Sequence, residues 1–250
     1  MHRLLTIVAL VLMVSCKRQK EVLAHPKPTH EDMEVEKDVD TLIYANSEPM
    51  DSLETTVLYD TFEGVADTTF VRLADFSNDF VYDMRYATEN NFLKAKVYEC
   101  PECYTRAKTA KALIRANAEF IEKGYRIKFF DCYRPNSVQY KMWELFPNPQ
   151  YVANPVKGSI HNKGGAVDLT LVDLDGQELD MGTDFDFFGH KAHHDHLDLP
   201  HQILENRKLL KETMEKHGFW SIRTEWWHYN LSAGSNDKVA DFKWECPTKP

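Results

Sequence analysis

Apolar and polar positions alternate along this chain with two different periods, and the periods mark its elements. Ala107, Ala110, Leu113, Ile114, Ala118 and Ile121 recur every three or four residues and predict a helix over 106–123. Thr105 stands where an N-cap belongs, and Gly124 offers the left-handed residue that stops such a helix. A second helix is predicted over 136–145, halted by Pro147 and Pro149, and a third over 202–217, ended by Gly218. Strand-like runs fall at 80–86, 126–131, 166–172 and 224–231. Within 166–172, Val167, Leu169 and Leu171 take one face while Asp168 and Thr170 take the other. Residues 174–177 read as a turn, and a long loop then leads to the third helix. Strands separated by helices around a hairpin-rich centre predict an α+β fold with a mixed or antiparallel central sheet and flanking helices.

The first residues break this pattern. Met1-His2-Arg3 is a short positive region, and residues 4–14 form an apolar run of eleven. A bilayer span needs about 20 apolar residues, so this run reads as a secretory signal. It ends Leu12-Met13-Val14-Ser15-Cys16, which resembles a bacterial lipobox, where the Cys becomes the lipidated first residue of the mature chain. Residues 1–15 are therefore expected to be a lipoprotein-type signal peptide with Cys16 lipidated, an anchor that needs no spanning helix. Residues 16–66 carry an acidic run, few aromatics and no sustained periodicity, and are expected to be a disordered tether. About fifty flexible residues reach roughly 40 Å. Residues 67–250 make the folded domain, and 43% hydrophobic content is enough for one sizeable core.

Charge and cysteines narrow the classes further. A formal net charge of −9 argues against nucleic acid as a partner. Export places Cys100, Cys103, Cys132 and Cys246 in a disulfide-permissive compartment, where four thiols allow three pairings. Cys100-Pro101-Glu102-Cys103 has no second CxxC to complete a zinc ribbon, so a loop staple or free thiols is the plainer reading.

The chemistry gathers in Gly158-Ser159-Ile160-His161-Asn162-Lys163-Gly164-Gly165-Ala166-Val167-Asp168 and in Glu225-Trp226-Trp227-His228. Two imidazoles, one carboxylate and a further nearby carboxylate fit a catalytic zinc with three protein ligands and a general base. Gly164-Gly165 argues against a helix here, so a loop carries His161 into a strand carrying Asp168. Glu225 and His228 are three apart, which would put them on opposite faces of a regular strand. If they serve one site, the strand must bulge or end between them.

S-x-H-x-x-G-x-A-x-D followed by E-x-W-H resembles the zinc D-alanyl-D-alanine dipeptidases of the vancomycin-resistance type. More distantly it is similar to the D-Ala-D-Ala carboxypeptidases and the hedgehog signalling domain. The likeness runs from about 70 to about 244, through Tyr82-Asp83-Met84-Arg85-Tyr86-Ala87-Thr88, Asp131-Cys132-Tyr133-Arg134-Pro135 and Asp180-Met181-Gly182-Thr183-Asp184-Phe185-Asp186. It implies a hedgehog/DD-peptidase-like fold and one Zn²⁺ per chain held by His161, Asp168 and His228. It implies Glu225 as the base and Arg134 as the stabiliser of the tetrahedral intermediate, with Tyr86 and Asp186 at the substrate ammonium and Ser159 near its backbone or carboxylate. Asn91 is a weaker match, and Cys132 departs from the family's small uncharged residue.

The expected substrate is D-Ala-D-Ala or a related D,D-peptide, met at the cell envelope by an exported, membrane-anchored protein facing the periplasm or exterior. A D,D-carboxypeptidase or endopeptidase acting on peptidoglycan stems is the rival enzyme. A zinc-bearing binding domain that has lost catalysis is a third reading, opposed by the presence of both Glu225 and Arg134. The histidines at 190, 193, 194, 196 and 201 invite a second-metal reading, but they lie in a loop without strict ligand spacing and read instead as a polar lid or the lead-in to a helix.

Overall fold

The structure is a computed structural model that describes residues 62–246; the signal, Cys16 and nearly all of the expected tether lie outside the described residues. In chain order the main elements are β1 (Phe70–Arg72), β2 (Val81–Tyr82), β3 (Tyr104–Arg106), α1 (Ala107–Glu122) and β4 (Tyr125–Asp131). There follow α2 (Asn136–Leu145), β5 (Ala166–Asp173), α3 (His201–Lys216), β6 (Phe219–Ser221) and β7 (His228–Leu231). Five strands form one sheet in the order β2-β4-β5-β7-β6, and β1 pairs with β3 in a small antiparallel ribbon. Only β2 and β4 run parallel in the larger sheet, so it is mixed, and the α+β expectation holds.

β5 is the central strand. Its predicted alternation does not separate core from solvent, because every residue from Ala166 to Val172 is buried. A central strand is covered on both faces, and here the second face carries Asp168 and Thr170. α1 packs on β4 and touches α3, which lies along β6. The buried stripe of α1 includes Ala107, Ala110 and Leu113 as expected, then continues through Ala116 and Phe120. Ile114, Ala118 and Ile121 are half-buried at its margin, so the expected stripe is rotated toward residues that spacing alone did not pick.

Three boundaries differ from expectation. Thr105 belongs to β3 and caps nothing; Arg106 is the N-cap of α1 and forms no side-chain cap bond. The run 80–86 is a strand only at Val81–Tyr82, then turns into a 3₁₀ helix over Arg85–Ala87 that buries Tyr86. The run 224–231 is a strand only from His228. Gly124, at φ 86°, ends α1 as the sequence indicates.

Two disulfides decide the open pairing. Cys100 bonds Cys246 and Cys103 bonds Cys132, so the CxxC cysteines staple two different segments. The first ties the chain's C-terminal stretch to the loop before β3. The second ties that loop to the end of β4, directly beside the residues described next.

Candidate active site

The sheet register sets up the site. Asp168 on β5 pairs directly with Asp131 on β4 and with His228 on β7. Residues opposite one another in antiparallel strands share a face, so three polar side chains form a row across three strands. A register irregularity between Phe129 and Asp131 brings Asp131 into that row. His161 arrives from the turn before β5. Gly164 sits at φ 74°, where a Cβ would meet the Phe70 ring at 2.7 Å and Arg106 Cγ at 2.8 Å. Only glycine fits there. Thr109 of α1 donates to the Gly164 carbonyl at 2.9 Å and fixes the turn against the helix.

His161 Nε2, His228 Nδ1 and Asp168 Oδ1 converge. The two nitrogens are 3.2 Å apart, His228 Nδ1 lies 2.9 Å from Asp168 Oδ1, and His161 Nε2 lies 3.5 Å from the same oxygen. Zinc bonds of about 2.0–2.1 Å at tetrahedral angles put neighbouring ligand atoms roughly 3.3 Å apart. The triangle therefore has the size of one face of a zinc tetrahedron.

The outer nitrogens fix the tautomers. His161 Nδ1 donates to the Cys132 carbonyl at 2.8 Å, and His228 Nε2 donates to Asn230 Oδ1 at 3.0 Å. Both inward nitrogens then carry lone pairs aimed at a carboxylate oxygen, an arrangement that a cation relieves. Burial works against ionising Asp168; positive charge on His161 and His228 holds the carboxyl below its ordinary range, and with both inward nitrogens unprotonated a bound cation would have to supply that charge. The donor set fits a zinc ion.

Glu225 lies in the turn before β7, and the strand begins only at His228, so the two are not held to opposite faces of one strand. Burial raises its carboxyl above the ordinary range, with His228 opposing. Trp226 and Trp227 are both 1% exposed. Trp226 Nε1 donates to Thr183 Oγ1 at 2.8 Å, and Trp227 packs edge-on against Phe185.

Arg134 is buried and held by two groups: Nη2 donates to Asp131 Oδ2, and Nη1 to Gln139 Oε1 at 3.0 Å. Its Nε–H has no partner among the described residues. Asp131 is itself braced, accepting from the Tyr98 hydroxyl at 2.7 Å. The Arg134 guanidinium lies 5.2 Å from the centre of the Tyr86 ring, and the Tyr86 hydroxyl is 3.1 Å from both Asp186 oxygens. Burial, then the charge of Asp168, pushes the Asp186 carboxyl well above its usual range, against the hydrogen bond from Tyr86.

Ser159 is placed differently. Its N–H and hydroxyl both reach Asn162 Oδ1, at 2.6 and 3.1 Å, and Asn162 Nδ2 donates to the Arg134 carbonyl at 2.8 Å. It shapes the turn that carries His161, with its hydroxyl engaged inside that turn. Asn91 is structural: its amide nitrogen reaches the carbonyls of Arg85, Thr88 and Ala95, and its oxygen accepts from the Leu93 N–H. Sequence reasoning missed Asn230, Gln139 and Tyr98. Asn230 had a signal, standing two residues after His228 on one strand face. Gln139 and Tyr98 had none, because only the fold brings them to Arg134 and Asp131.

Comparison with known proteins shows the family. Residues 66–245 match the family model described as D-Ala-D-Ala dipeptidase, within peptidase family M15. A D-alanyl-D-alanine dipeptidase of Escherichia coli strain K12 is 33% identical over 187 residues, covering 74% of this chain and 97% of that protein. One from Enterococcus faecalis is 32% identical over 183 residues, covering 65% of this chain and 91% of its own length. A solved variant of the vancomycin-resistance D,D-pentapeptidase VanY with Zn(II) aligns over 52% of this chain and 73% of its own, at 15% identity and a TM-score of 0.36. With most of its described residues under that family model, the chain belongs to the D-Ala-D-Ala dipeptidase family and is a zinc metallopeptidase.

Proposed function

We propose that this protein hydrolyses the free dipeptide D-Ala-D-Ala, or close D,D-analogues, with one zinc ion per chain held by His161, Asp168 and His228. The observation that carries the reading is the convergence of two tautomer-fixed imidazole nitrogens on the Asp168 carboxylate. When bound, zinc supplies Lewis acidity that polarises a carbonyl and makes water acidic enough to attack near neutral pH.

The chain's own groups supply the rest. Glu225 takes the proton from the attacking water and returns it to the leaving amine, a role suited to a carboxylate whose affinity for protons is raised by burial. Arg134, fixed by Asp131 and Gln139, directs positive charge at the oxyanion that forms as the carbonyl becomes tetrahedral. Because its position is fixed before substrate arrives, little reorganisation is needed at that step. Asp186, aimed by Tyr86, receives the substrate ammonium in a charge-assisted hydrogen bond. A buried carboxyl with raised proton affinity favours an incoming cation as its partner. Ser159 serves the site through the turn it shapes.

The deciding experiment compares kcat/KM for free and N-acetylated D-Ala-D-Ala. Acetylation removes the charge that Asp186 recognises, and a buried carboxylate without its partner costs several kcal/mol. The free dipeptide should be cleaved orders of magnitude faster, and a ratio near one would replace the dipeptidase by a D,D-carboxypeptidase acting on stem peptides.

The same reading puts residues 67–250 at the cell envelope as the catalytic domain. It is tethered through 16–66 to a lipidated Cys16 after removal of 1–15, and faces the periplasm or exterior. The run Leu12-Met13-Val14-Ser15-Cys16 supports it. Cys16→Ala should abolish lipid labelling and shift the protein from membrane to soluble fractions; unchanged labelling would remove the anchor from the proposal.

A further inference from the structure

A second cluster of metal-type donors lies on the loop before α3 and shares no residue with the centre above. His190–Ala192 is a 3₁₀ turn, the His193 N–H donates to the His190 carbonyl at 3.1 Å, and the His196 N–H donates to the His193 carbonyl at 3.2 Å. Three-residue turns bring side chains at i and i+3 into line. His190, His193 and His196 are therefore drawn together. The His190 ring centre lies 4.8 Å from that of His193 and 5.0 Å from that of His196. His190 Nδ1 and His196 Nδ1 face each other at 3.1 Å, and the donor atoms of His190, His193 and Asp195 all lie within 4.8 Å of one another.

We propose that this loop is a second binding site for a divalent transition-metal ion, with His190, His193 and Asp195 as the converging donors and His196, facing His190, as a further imidazole beside them. Two imidazole nitrogens at 3.1 Å stand at the edge length of a coordination shell whose bonds are about 2.0–2.1 Å. Among the described residues His196 Nε2 is buried without a partner, and a side-chain hydrogen bond of that ring goes to another imidazole. Three imidazoles and one carboxylate select zinc, nickel or copper over calcium or magnesium.

The loop is braced. The buried Arg207 of α3 donates to the carbonyls of Met181 at 2.7 Å, Lys191 at 2.9 Å and His193 at 3.1 Å. The His194 N–H donates to the Arg223 carbonyl at 2.8 Å. Much of the ordering of these ligands is thus done by the fold before a metal arrives. One cation competes for the site. Arg223 Nη1 lies 3.1 Å from His193 Nδ1 and 3.1 Å from Asp195 Oδ2. Its side chain is 61% exposed, so it can swing into solvent when a metal takes its place.

The test titrates the full chain, stripped by a chelator, with Zn²⁺ against a chromophoric competitor. Wild type should take two equivalents. His161→Ala should lose the tighter one and keep the weaker. The double variant His190→Ala/His196→Ala should keep the tighter and weaken the other by about tenfold or more, with an unchanged circular dichroism spectrum. Arg223→Ala should tighten the weaker site, an effect that a merely structural loop would not show. A second equivalent that keeps its wild-type affinity in the double variant, or a wild type that saturates at one, overturns the proposal.

Discussion

Two clusters of histidine and aspartate in this molecule use the same donor types and differ in how they are built. The ligand set at the sheet comes from three separated places, His161, Asp168 and His228. The loop set comes from seven consecutive residues, His190 to His196. Local turns bring the second together, and Arg207 of α3 braces it. The first needs the register of β5 and β7, the Gly164 turn and its bond to α1. In return, His161 and Asp168 are buried with His228 half-buried beside them, and both imidazoles have an acceptor behind them, the Cys132 carbonyl and Asn230 Oδ1. The loop imidazoles lack that arrangement: His196 ends in a nitrogen with no partner among the described residues, and His193 faces a guanidinium. The difference teaches that residue type marks a metal site, while an oriented, buried set with no competing cation marks a reactive one.

The comparison can be broken most sharply at the ligands. Replacing His161 by Ala should drop both tight zinc and peptidase turnover to background, whereas His190→Ala should leave turnover within roughly twofold, as for surface changes generally. Metal analysis beside the dipeptide assay reads both, and a fully active His161→Ala protein with stoichiometric zinc would sink the ligand assignment. Next in size is Glu225→Gln, which should keep zinc and lose roughly 10²–10⁴-fold in rate. Zinc lost with this substitution would make Glu225 a ligand. Smaller again is Asn230→Ala. It removes the acceptor that fixes His228 and should weaken zinc by roughly 10–100-fold. Unchanged affinity would mean that Asp168 alone orients the imidazole.

Much of this was legible in the chain. The helices over 106–123, 136–145 and 202–217 appear within a residue or so of their expected ends, because their stops are local: glycine beyond α1 and α3, proline beyond α2. The loop-to-strand passage from His161 to Asp168 was legible for a similar reason, since Gly164-Gly165 cannot belong to a helix interior at little cost. The strand over 80–86 was misjudged. Its apolar residues fit a strand, yet the chain turns after Tyr82 so that Tyr86 can reach Asp186, a residue one hundred positions away. Thr105 failed as a cap because β3 claims its backbone before the helix begins.

What the sequence determined by itself is therefore the residue chemistry and the locally punctuated elements: the donors His161, Asp168 and His228, the carboxylate at Glu225, the guanidinium at Arg134, and the α+β alternation. Spacing required that a strand end or bulge between Glu225 and His228, and the strand does begin at His228. Tertiary structure decided the pairings. Cys100 with Cys246 and Cys103 with Cys132, Asp168 opposite His228, and Arg134 between Asp131 and Gln139 are contacts between distant or differently folded segments. A periodic pattern fixes which face a residue takes. Which partner meets it across the sheet depends on strand order and register, and these are set by the burial of the whole core.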